Sequence, residues 1–284
     1  MSQAIKLLRV SQYVKNGFIF LPFFFSIQTL SVNIIQQLII AFIGFSSIAS
    51  MVYVINDVID ADLDKLHPRK KNRPIAAGTI SKTRALIIAL ILGCIGTSIS
   101  LYQDTLLYTY AYISLNLLYS FKVKHIPILD VITIALGFIL RLMIGAHVSL
   151  VSLSMWIIIM TFLLTLFLAF SKRSGDLFNL QNAQTRPVLA KYDQSFLNIS
   201  IAIMGSVTIV AYLMYTTSAD VIERAGSNQL YITGIFVLYG ILRYLKITFF
   251  DHKSDNPTDV LIKDSGLQLT IIGWLISFTV ILYL

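Results

Sequence analysis

Long apolar runs separated by short polar segments dominate the sequence. Runs that approach the length of a membrane span lie near residues 17–30, 34–55, 85–101, 106–121, 128–148, 153–171, 195–216, 229–249 and 266–284. A spanning helix needs about 20 apolar residues, whereas a membrane β-barrel strand shows about ten residues of alternating polarity. Runs such as 86–92 and 155–170 do not alternate. The pattern therefore predicts an all-α, polytopic membrane protein with nine transmembrane helices.

The composition supports this class and excludes others. Hydrophobic residues make up 56% of the 284 residues and charged residues 13%, against about 25% charged residues in soluble domains. A soluble globule or a disordered chain of this composition would expose too much apolar surface to water. The single cysteine, Cys94, excludes a disulfide framework and a cysteine-ligated metal site. No linker interrupts the chain, so we expect one domain over residues 1–284.

The basic residues predict the orientation. With a cytoplasmic N-terminus, nine spans place all but two of the 22 lysines and arginines in the cytoplasm; the exceptions are Arg141, within the fifth span, and Arg224. The positive-inside rule thus predicts a multi-pass protein of the inner (plasma) membrane with its C-terminus outside. The first apolar run contains Pro22 and does not resemble a cleaved signal peptide. The net charge of +8 lies on loops, where it indicates anionic substrates rather than nucleic acid.

Four oxygen-bearing side chains follow the second predicted span. At about 100° per helical residue, these four side chains share one quarter of the helix circumference, whereas Asp62 points toward a different side of the helix. The four residues are Asn56, Asp57, Asp60 and Asp64. Neighbouring carboxylates repel one another, and Mg²⁺, commonly held by one or two carboxylates and a substrate phosphate, would offset that repulsion. We therefore predict a Mg²⁺ site, with a solvated acidic helix end as the alternative interpretation.

The next loop is basic and is shaped by proline and glycine. Residues 67–78 read His-Pro-Arg-Lys-Lys-Asn-Arg-Pro-Ile-Ala-Ala-Gly. Beside the acidic face, this loop is predicted to hold a phosphate, with Lys70 and above all Arg73 as candidates. A guanidinium group can bind phosphate through two parallel hydrogen bonds. Contact with anionic lipid headgroups is the alternative.

Further candidate residues lie in and beside other spans. Arg141 lies inside the fifth span, where a charge indicates a functional site or an ion pair with Asp130 or a span-two aspartate. If the sixth helix continues, Lys172 and Asp176 share a face beside Arg173 and are candidates for a second phosphate, with membrane anchoring as the alternative. Weaker or more distant candidates are Lys15 and Asn16, ahead of the first span, and Tyr192, at the entry to the seventh.

Together these residues resemble the UbiA-type intramembrane prenyltransferase superfamily, in particular its decaprenyl-phosphate phosphoribosyltransferase branch. Residues 12–16 resemble the branch motif Gln-Trp-x-Lys-Asn, with Tyr13 in place of tryptophan. Residues 56–78 resemble its Asn-Asp-x-x-Asp, His-Pro and Arg-Pro-Ile-Ala-x-Gly signature. Further matches lie at 137–146, 172–173 and 256–264, and Asp176 stands where the branch commonly has glutamate. The resemblance implies nine helices around a central cavity open to the cytoplasm.

The resemblance also implies a reaction. Asp57, Asp60 and Asp64 would hold the pyrophosphate of 5-phosphoribosyl 1-pyrophosphate through Mg²⁺, and a polyprenyl phosphate would attack the ribose C1. The enzyme would be a Mg²⁺-dependent glycosyltransferase whose partners are these two substrates and the lipid bilayer, with a homo-oligomer left open. Lys15, Arg73, Arg141, Lys172 and Arg173 would bring the two anions together. The nucleophile is already an anion, so no general base is assigned.

Two other functions are considered. The first is Mg²⁺-dependent prenyl transfer from a polyprenyl diphosphate to an aromatic acceptor, which typically uses a second Asp-x-x-x-Asp motif after the sixth span. Here that loop has only Asp176 and Asp193, while Asp251, Asp255 and Asp259 follow later, interrupted by Pro257. The second is a transporter or a structural membrane protein; internal repeats and charges at mid-membrane would favour a transporter. The chain shows no convincing repeat, and its charges cluster at one membrane face.

Overall fold

A computed structural model describes residues 3–26, 31–66, 70–179, 189–252, 254 and 256–283. The described residues form helices and connecting turns and contain no strand, so the all-α prediction is confirmed. The chain divides into two compact units, which are described separately. Of the described residues, those up to Leu153 belong to the first unit and those from Ser154 onward to the second.

Within the described residues, the first unit contains seven α-helices and three 3-10 segments. The α-helices are α1 Gln3–Leu8, α2 Leu21–Phe25, α3 Val32–Ile59, α4 Ala61–Leu66, α5 Lys82–Tyr102, α6 Leu106–Phe121 and α7 Leu129–Ser149. An eleven-residue 3-10 helix, Val10–Phe20, connects α1 to α2, and shorter ones cover Lys70–Asn72 and Val123–His125.

In the part of the second unit that the structure describes, there are six α-helices. They are α8 Met155–Asn179, α9 Gln194–Thr216, α10 Ala219–Ala225, α11 Gly234–Phe249, α12 Pro257–Lys263 and α13 Ser265–Tyr283. Local sequence explains several starts: the Asp193 carboxylate accepts hydrogen bonds from the Ser195 and Phe196 amides at the start of α9, and Pro257 occupies the first turn of α12.

Seven helices in the described residues are long and apolar enough to cross a membrane. They are Val32–Ile59, Lys82–Tyr102, Leu129–Ser149, Met155–Phe178, Gln194–Thr216, Leu230–Phe249 and Ser265–Leu282. Each coincides with one of the nine predicted spans, so the multi-pass membrane class is confirmed. Of the other two, 106–121 forms a helix of only 16 residues, and 17–30 is a 3-10 helix followed by the short α2, with residues 27–30 outside the described set. Nine spans and a cytoplasmic cavity stay predictions.

In the first unit, α3 is the central element and packs against α5, α7 and the 3-10 helix Val10–Phe20. Its apolar side chains form one core with Ile19, Tyr112 and Ile144. The 3-10 helix meets α7 at Gly145, where an added Cβ would lie 1.9 Å from the Ile19 carbonyl oxygen. On the same segment, Asn16 contacts Ser46 within α3 and Arg141 within α7, and Arg9 contacts Asp57 near the end of α3.

In the second unit, α8 packs chiefly against α9, and α11 packs against α9 and α13. A buried hydrogen-bond chain joins three of its elements. The Trp274 indole N–H donates to the Tyr212 hydroxyl at 2.7 Å, and that hydroxyl is hydrogen-bonded to the Thr233 hydroxyl at 2.6 Å. Each of these three polar groups therefore has a hydrogen-bond partner within the apolar interior.

Candidate functional site

The predicted acidic face lies where α3 passes into α4. At 28 residues, α3 is about 42 Å long, which exceeds a hydrocarbon core of about 30 Å, so its end can reach the polar membrane interface. The helix breaks at Asp60, and α4 continues from Ala61. The i to i−4 backbone bonds persist through the break, from Asp60 N to Asn56 O at 2.9 Å and from Asp64 N to Asp60 O at 2.8 Å.

The structure divides the four predicted residues into two pairs. Asp57 and Asp64 are seven residues apart, nearly two full turns, and both contact Arg73. Asn56 and Asp60 are one turn apart, and the Asn56 Nδ2 donates to Asp60 Oδ2 at 3.3 Å. On an ideal helix Asp57 and Asp64 lie only about 20° apart, whereas Asp60 lies about 40° from both Asn56 and Asp64, so the angles alone do not predict the second pair.

Arg73 connects Asp57 and Asp64 through one nitrogen. Its Nη1 donates to Asp57 Oδ1 at 3.0 Å and to Asp64 Oδ2 at 2.6 Å. Asp57 is only 2% exposed and Asp64 is also buried, so the shared guanidinium offsets two desolvated carboxylates. Lys70 Nζ lies 3.5 Å from Asp64 Oδ1. The predicted basic loop therefore meets the predicted acidic face through Lys70 and Arg73.

The shape of the loop explains how Arg73 is held. Ile75 and Ala76 are buried directly after it, the Ala77 amide donates to the Arg73 carbonyl at 2.8 Å, and Gly78 adopts a positive φ of 73°. The first part of the predicted motif, residues 67–69, lies outside the described residues.

A residue that the sequence reasoning assigned only to orientation, Arg9, also contacts Asp57. Its Nη2 forms an ion pair and hydrogen bond with the same Oδ1 that Arg73 contacts. Its guanidinium carbon also lies 5.0 Å from the centroid of the Tyr53 ring. The only sequence signal was its position three residues before the 12–16 motif.

Lys124 is a second functional candidate that the sequence reasoning missed. Its Nζ donates to Asp60 Oδ1 at 2.8 Å, and the Ser120 hydroxyl donates to Asn56 Oδ1 at 3.0 Å. The end of α6 and the turn after it therefore orient Asn56 and Asp60. The available signal was the placement of Lys124 on the same predicted membrane side as Asp60.

Asp62 faces away from both pairs, as its helical angle predicts. It is exposed and accepts hydrogen bonds from Lys65 at 2.8 Å and Lys82 at 3.2 Å. These two hydrogen bonds hold the pKa of the Asp62 carboxyl below its usual value. Asp62 thus links α4 to the start of α5 and lies outside the Asp57 and Asp64 pair.

The donor set at Asp57 and Asp64 fits Mg²⁺. Two carboxylate oxygens from different helices converge on one cationic nitrogen, a position where a bound cation would also meet oxygen ligands. No group of three His, Cys, Asp or Glu residues in the described part of the chain is arranged around a common metal position. Mg²⁺ would therefore take its other ligands from water and substrate phosphates. Direct ligation by Asp60, which contacts Lys124 and Asn56, stays a prediction.

Among the described residues Arg141 is held by neutral groups, so the alternative of an ion pair with Asp130 or a span-two aspartate is not borne out. The side chain is 3% exposed and donates through Nε to Asn16 Oδ1 at 3.0 Å, through Nη1 to the Gly137 carbonyl at 2.7 Å and through Nη2 to the Tyr112 hydroxyl at 3.2 Å. Three aromatic rings surround its guanidinium at 4.8 to 5.1 Å, those of Phe45, Tyr112 and Phe138. Aromatic faces and neutral acceptors replace the carboxylate.

Asn16 and Lys15 bring the 3-10 helix to this arginine. The Asn16 Nδ2 donates to the Ser46 hydroxyl on α3 at 2.9 Å, while its Oδ1 accepts from Arg141. No described residue accepts a hydrogen bond from Lys15 or forms an ion pair with it. Burial, with smaller contributions from Arg141 and Arg9, lowers the pKa of Lys15 to about 8. Lys15 and Arg141 are thus neighbouring cations in the first unit.

The candidates of the second unit lie at the end of α8 and before α9. Because α8 continues to Asn179, Lys172, Arg173 and Asp176 are on one helix, as expected. Arg173 is buried, and its Nη1 lies 3.5 Å from Asp176 Oδ2. Tyr192 is buried and stacks on Phe196 with 6.0 Å between ring centroids. Their roles in substrate binding stay predictions.

The later aspartates do not form a regular Asp-x-x-x-Asp helix in the described residues. Asp251 follows α11, Asp259 lies in α12, and Asp255 is outside the described set. The structure instead pairs Asp264 with Arg243 through two hydrogen bonds, at 3.2 and 2.9 Å. Asp264 also accepts from the Leu267 amide at 2.9 Å, which caps α13. The Arg243 hydrogen bond lowers the pKa of the Asp264 carboxyl.

The sequence of this chain is similar to those of known proteins. The model of the UbiA prenyltransferase family matches residues 18–258. The chain is 28% identical to a decaprenyl-phosphate phosphoribosyltransferase of Mycolicibacterium smegmatis, over 86% of this chain and 79% of that protein. It is also 28% identical to the protein of the same name from Corynebacterium glutamicum, over 99% of this chain and 86% of that protein.

A solved structure shows the same fold. It is that of a UbiA homolog from Archaeoglobus fulgidus bound to GPP and Mg²⁺, with a TM-score of 0.73, 18% identity and complete coverage of both chains. At this identity the likeness concerns the fold alone.

Proposed function

Because the chain belongs to the UbiA prenyltransferase family, we propose that it transfers 5-phosphoribose from 5-phosphoribosyl 1-pyrophosphate to a polyprenyl phosphate and releases pyrophosphate. The observation that carries the proposal is the pair of buried carboxylates, Asp57 and Asp64, that share Arg73. A diphosphate substrate requires carboxylates that bind its metal ion, and it requires guanidinium or ammonium groups beside them that bind its phosphates. The names of the two decaprenyl-phosphate phosphoribosyltransferase relatives support the phosphoribosyl donor.

In the proposed reaction, a phosphate oxygen of the lipid forms a bond to ribose C1 as the bond from C1 to the pyrophosphate oxygen breaks. Positive charge develops at the anomeric carbon, and negative charge grows on the leaving pyrophosphate. Arg73 and Lys70 would bind that leaving group through charge-assisted hydrogen bonds. The attacking oxygen is already anionic, so the step requires no general base.

Mg²⁺, when bound by Asp57 and Asp64, would neutralise charge on the pyrophosphate. Lys124 and Asn56 would keep the Asp60 carboxylate in a fixed orientation beside this pair. Lys15 and Arg141, which no carboxylate neutralises among the described residues, are suited to a second anion. We assign them to a substrate phosphate. Lys172, Arg173, Asp176 and Tyr192 complete the proposed set of substrate-binding residues.

The proposal includes the setting of the enzyme. We place it in the plasma membrane as one domain with nine spans, with the N-terminus and the Asp57 site in the cytoplasm and the C-terminus outside. The distribution of lysine and arginine supports this orientation. The polyprenyl tail would lie in the bilayer while its phosphate reaches the polar ends of the helices. A homo-oligomer stays open.

The first test is a turnover assay on the purified protein in detergent with Mg²⁺. One reaction contains 5-phosphoribosyl 1-pyrophosphate and a polyprenyl phosphate, and a parallel reaction contains a polyprenyl diphosphate and 4-hydroxybenzoate. We expect pyrophosphate and a phosphoribosyl lipid in the first reaction only, and loss of both products with EDTA.

Product in the second reaction only would overturn the proposal in favour of aromatic prenyl transfer. The GPP-bound structural relative makes that the alternative to test, since GPP is a prenyl diphosphate. Absence of product in both reactions would reject both substrate pairs and leave the family assignment intact.

A further inference from the structure

We propose that Arg9 binds the diphosphate of the donor substrate and that Asp57 holds its guanidinium until the donor arrives. This inference rests on the proposed function, because the ligand it names is the diphosphate of that reaction. It adds a residue from the N-terminal segment to the site. It also gives the contact between Arg9 and Asp57 a role in substrate binding.

Ser50 holds the chain on both sides of Arg9, through the Leu8 backbone and the Tyr13 side chain. This fully buried serine of α3 donates to the Leu8 carbonyl at 2.9 Å and is hydrogen-bonded to the Tyr13 hydroxyl at 2.8 Å. Leu7 is buried as well. Ser50 and Asp57 are seven residues apart on α3 and thus lie on the same side of that helix. The anchored segment therefore places Arg9 over Asp57.

The backbone at Arg9 is strained. Its φ of 52° and ψ of 46° lie in the left-handed region, which is unfavourable for a residue with a Cβ. Such conformations persist where the surroundings determine them, and they concentrate at functional sites. Here the strain falls at the junction between α1 and the 3-10 helix, and it directs the Arg9 side chain to Asp57.

Charge balance indicates what Arg9 does when the site fills. Arg9 and Arg73 both contact Oδ1 of Asp57, and Arg73 also contacts Asp64. Together with Lys70, whose Nζ lies 3.5 Å from Asp64, they surround the two carboxylates with three cationic side chains. If Asp57 and Asp64 bind a divalent cation, both guanidinium groups need new counter-ions, and the diphosphate oxygens on that cation supply them. Arg9 is the less constrained of the two, because it contacts only one of the carboxylates.

Binding of inorganic pyrophosphate, measured by titration calorimetry on the purified protein with Mg²⁺ and without turnover, tests the proposal. We expect Arg9→Gln to weaken pyrophosphate binding about tenfold or more, the range for a lost charge-assisted hydrogen bond. Arg9→Lys should restore part of the affinity. Mg²⁺ alone should bind as well or better, because Asp57 loses a competing cation.

Lys6→Gln is the matched control, since it removes the same charge from an exposed position of α1 and should leave affinity unchanged. If Arg9→Gln does not yield folded protein, Arg9→Gly replaces it, because glycine adopts the observed φ without strain. Wild-type pyrophosphate affinity in the folded variant would overturn the proposal. A wild-type protein that binds pyrophosphate but releases none from 5-phosphoribosyl 1-pyrophosphate would instead reject the proposed function.

Discussion

At the residue scale, Asp62 and Asp64 lie two positions apart and have opposite surroundings. Asp64 is buried and contacts Arg73 and Lys70, whereas Asp62 is exposed and contacts Lys65 and Lys82. An exposed ion pair contributes little to the free energy of folding. A change to a buried carboxylate that shares a cation with a second carboxylate disturbs charges that water does not screen. The two residues should therefore respond differently to the same substitution.

We expect Asp64→Asn to lower turnover by about 100-fold or more, because it removes one of the two carboxylates that would bind Mg²⁺. Asp62→Asn should keep activity within about twofold of wild type, since its partners lie outside the site. Pyrophosphate release at saturating Mg²⁺ measures both variants, and size-exclusion chromatography checks that each is folded. Near-native turnover in Asp64→Asn, and likewise in Asp60→Asn, would remove the argument for a metal site.

Lys15 gives the site a predicted pH dependence. Its pKa is lowered to about 8 by burial and by the nearby Arg141 and Arg9, so its charge falls as pH rises through 8. Binding of a substrate phosphate should weaken over the same range, and kcat/KM should decline because it reports the free enzyme. Lys15→Arg keeps its charge at these pH values and should remove the decline. An identical alkaline limb in Lys15→Arg would assign the decline to another group.

At the element scale, the close contact between the 3-10 helix and α7 positions Asn16 against Arg141. Gly145 permits it, because any larger residue would bring its Cβ against the Ile19 backbone. We expect Gly145→Ala to lower stability by about 1–3 kcal/mol, the usual cost of overpacking, and to lower Tm in detergent. Gly17→Ala is the control, since a Cβ there meets no atom within 4 Å. An unchanged Tm in Gly145→Ala would show that these elements separate at little cost.

The same elements show which parts of the fold can be predicted from sequence. Apolar run length located seven helices, because spanning a membrane imposes a length that the sequence records directly. It did not predict the 3-10 helix Val10–Phe20, since the tighter turn arises from packing against α3 and α7 rather than from composition. For that reason the contact of Arg9 with Asp57 was missed.

Helical angles predicted only the part of the site that lies on α3 and α4. They placed Asn56, Asp57, Asp60 and Asp64 on one face, because all four lie on nearly continuous helix, but they did not predict the division into two pairs. They gave no information on the residues that approach from other elements, such as Lys124 and Ser120. For Arg141, the expectation of a carboxylate partner ignored aromatic faces, which stabilise a guanidinium without appearing as opposite charge in the sequence.

At the scale of the whole molecule, the chain's orientation decides which substrates can reach the site. A water-soluble phosphoribosyl donor must approach from one aqueous side, and the lysine and arginine distribution indicates the cytoplasm. Lys71, in the basic loop, and Asn228, before the helix that starts at Leu230, are both exposed and are predicted to lie on opposite sides. The chain has one cysteine, Cys94, so single-cysteine variants are readily made.

In a Cys94→Ala background, we expect a membrane-impermeant maleimide to label Asn228→Cys in intact cells and Lys71→Cys only after permeabilisation. The physical reason is that a charged reagent does not cross the hydrocarbon core of the bilayer, which is about 30 Å thick, so labelling reports the side of each loop. The Cys94→Ala protein alone controls for background. Labelling of Lys71→Cys in intact cells would reverse the orientation, place the Asp57 site outside the cytoplasm and exclude a cytoplasmic phosphoribosyl donor.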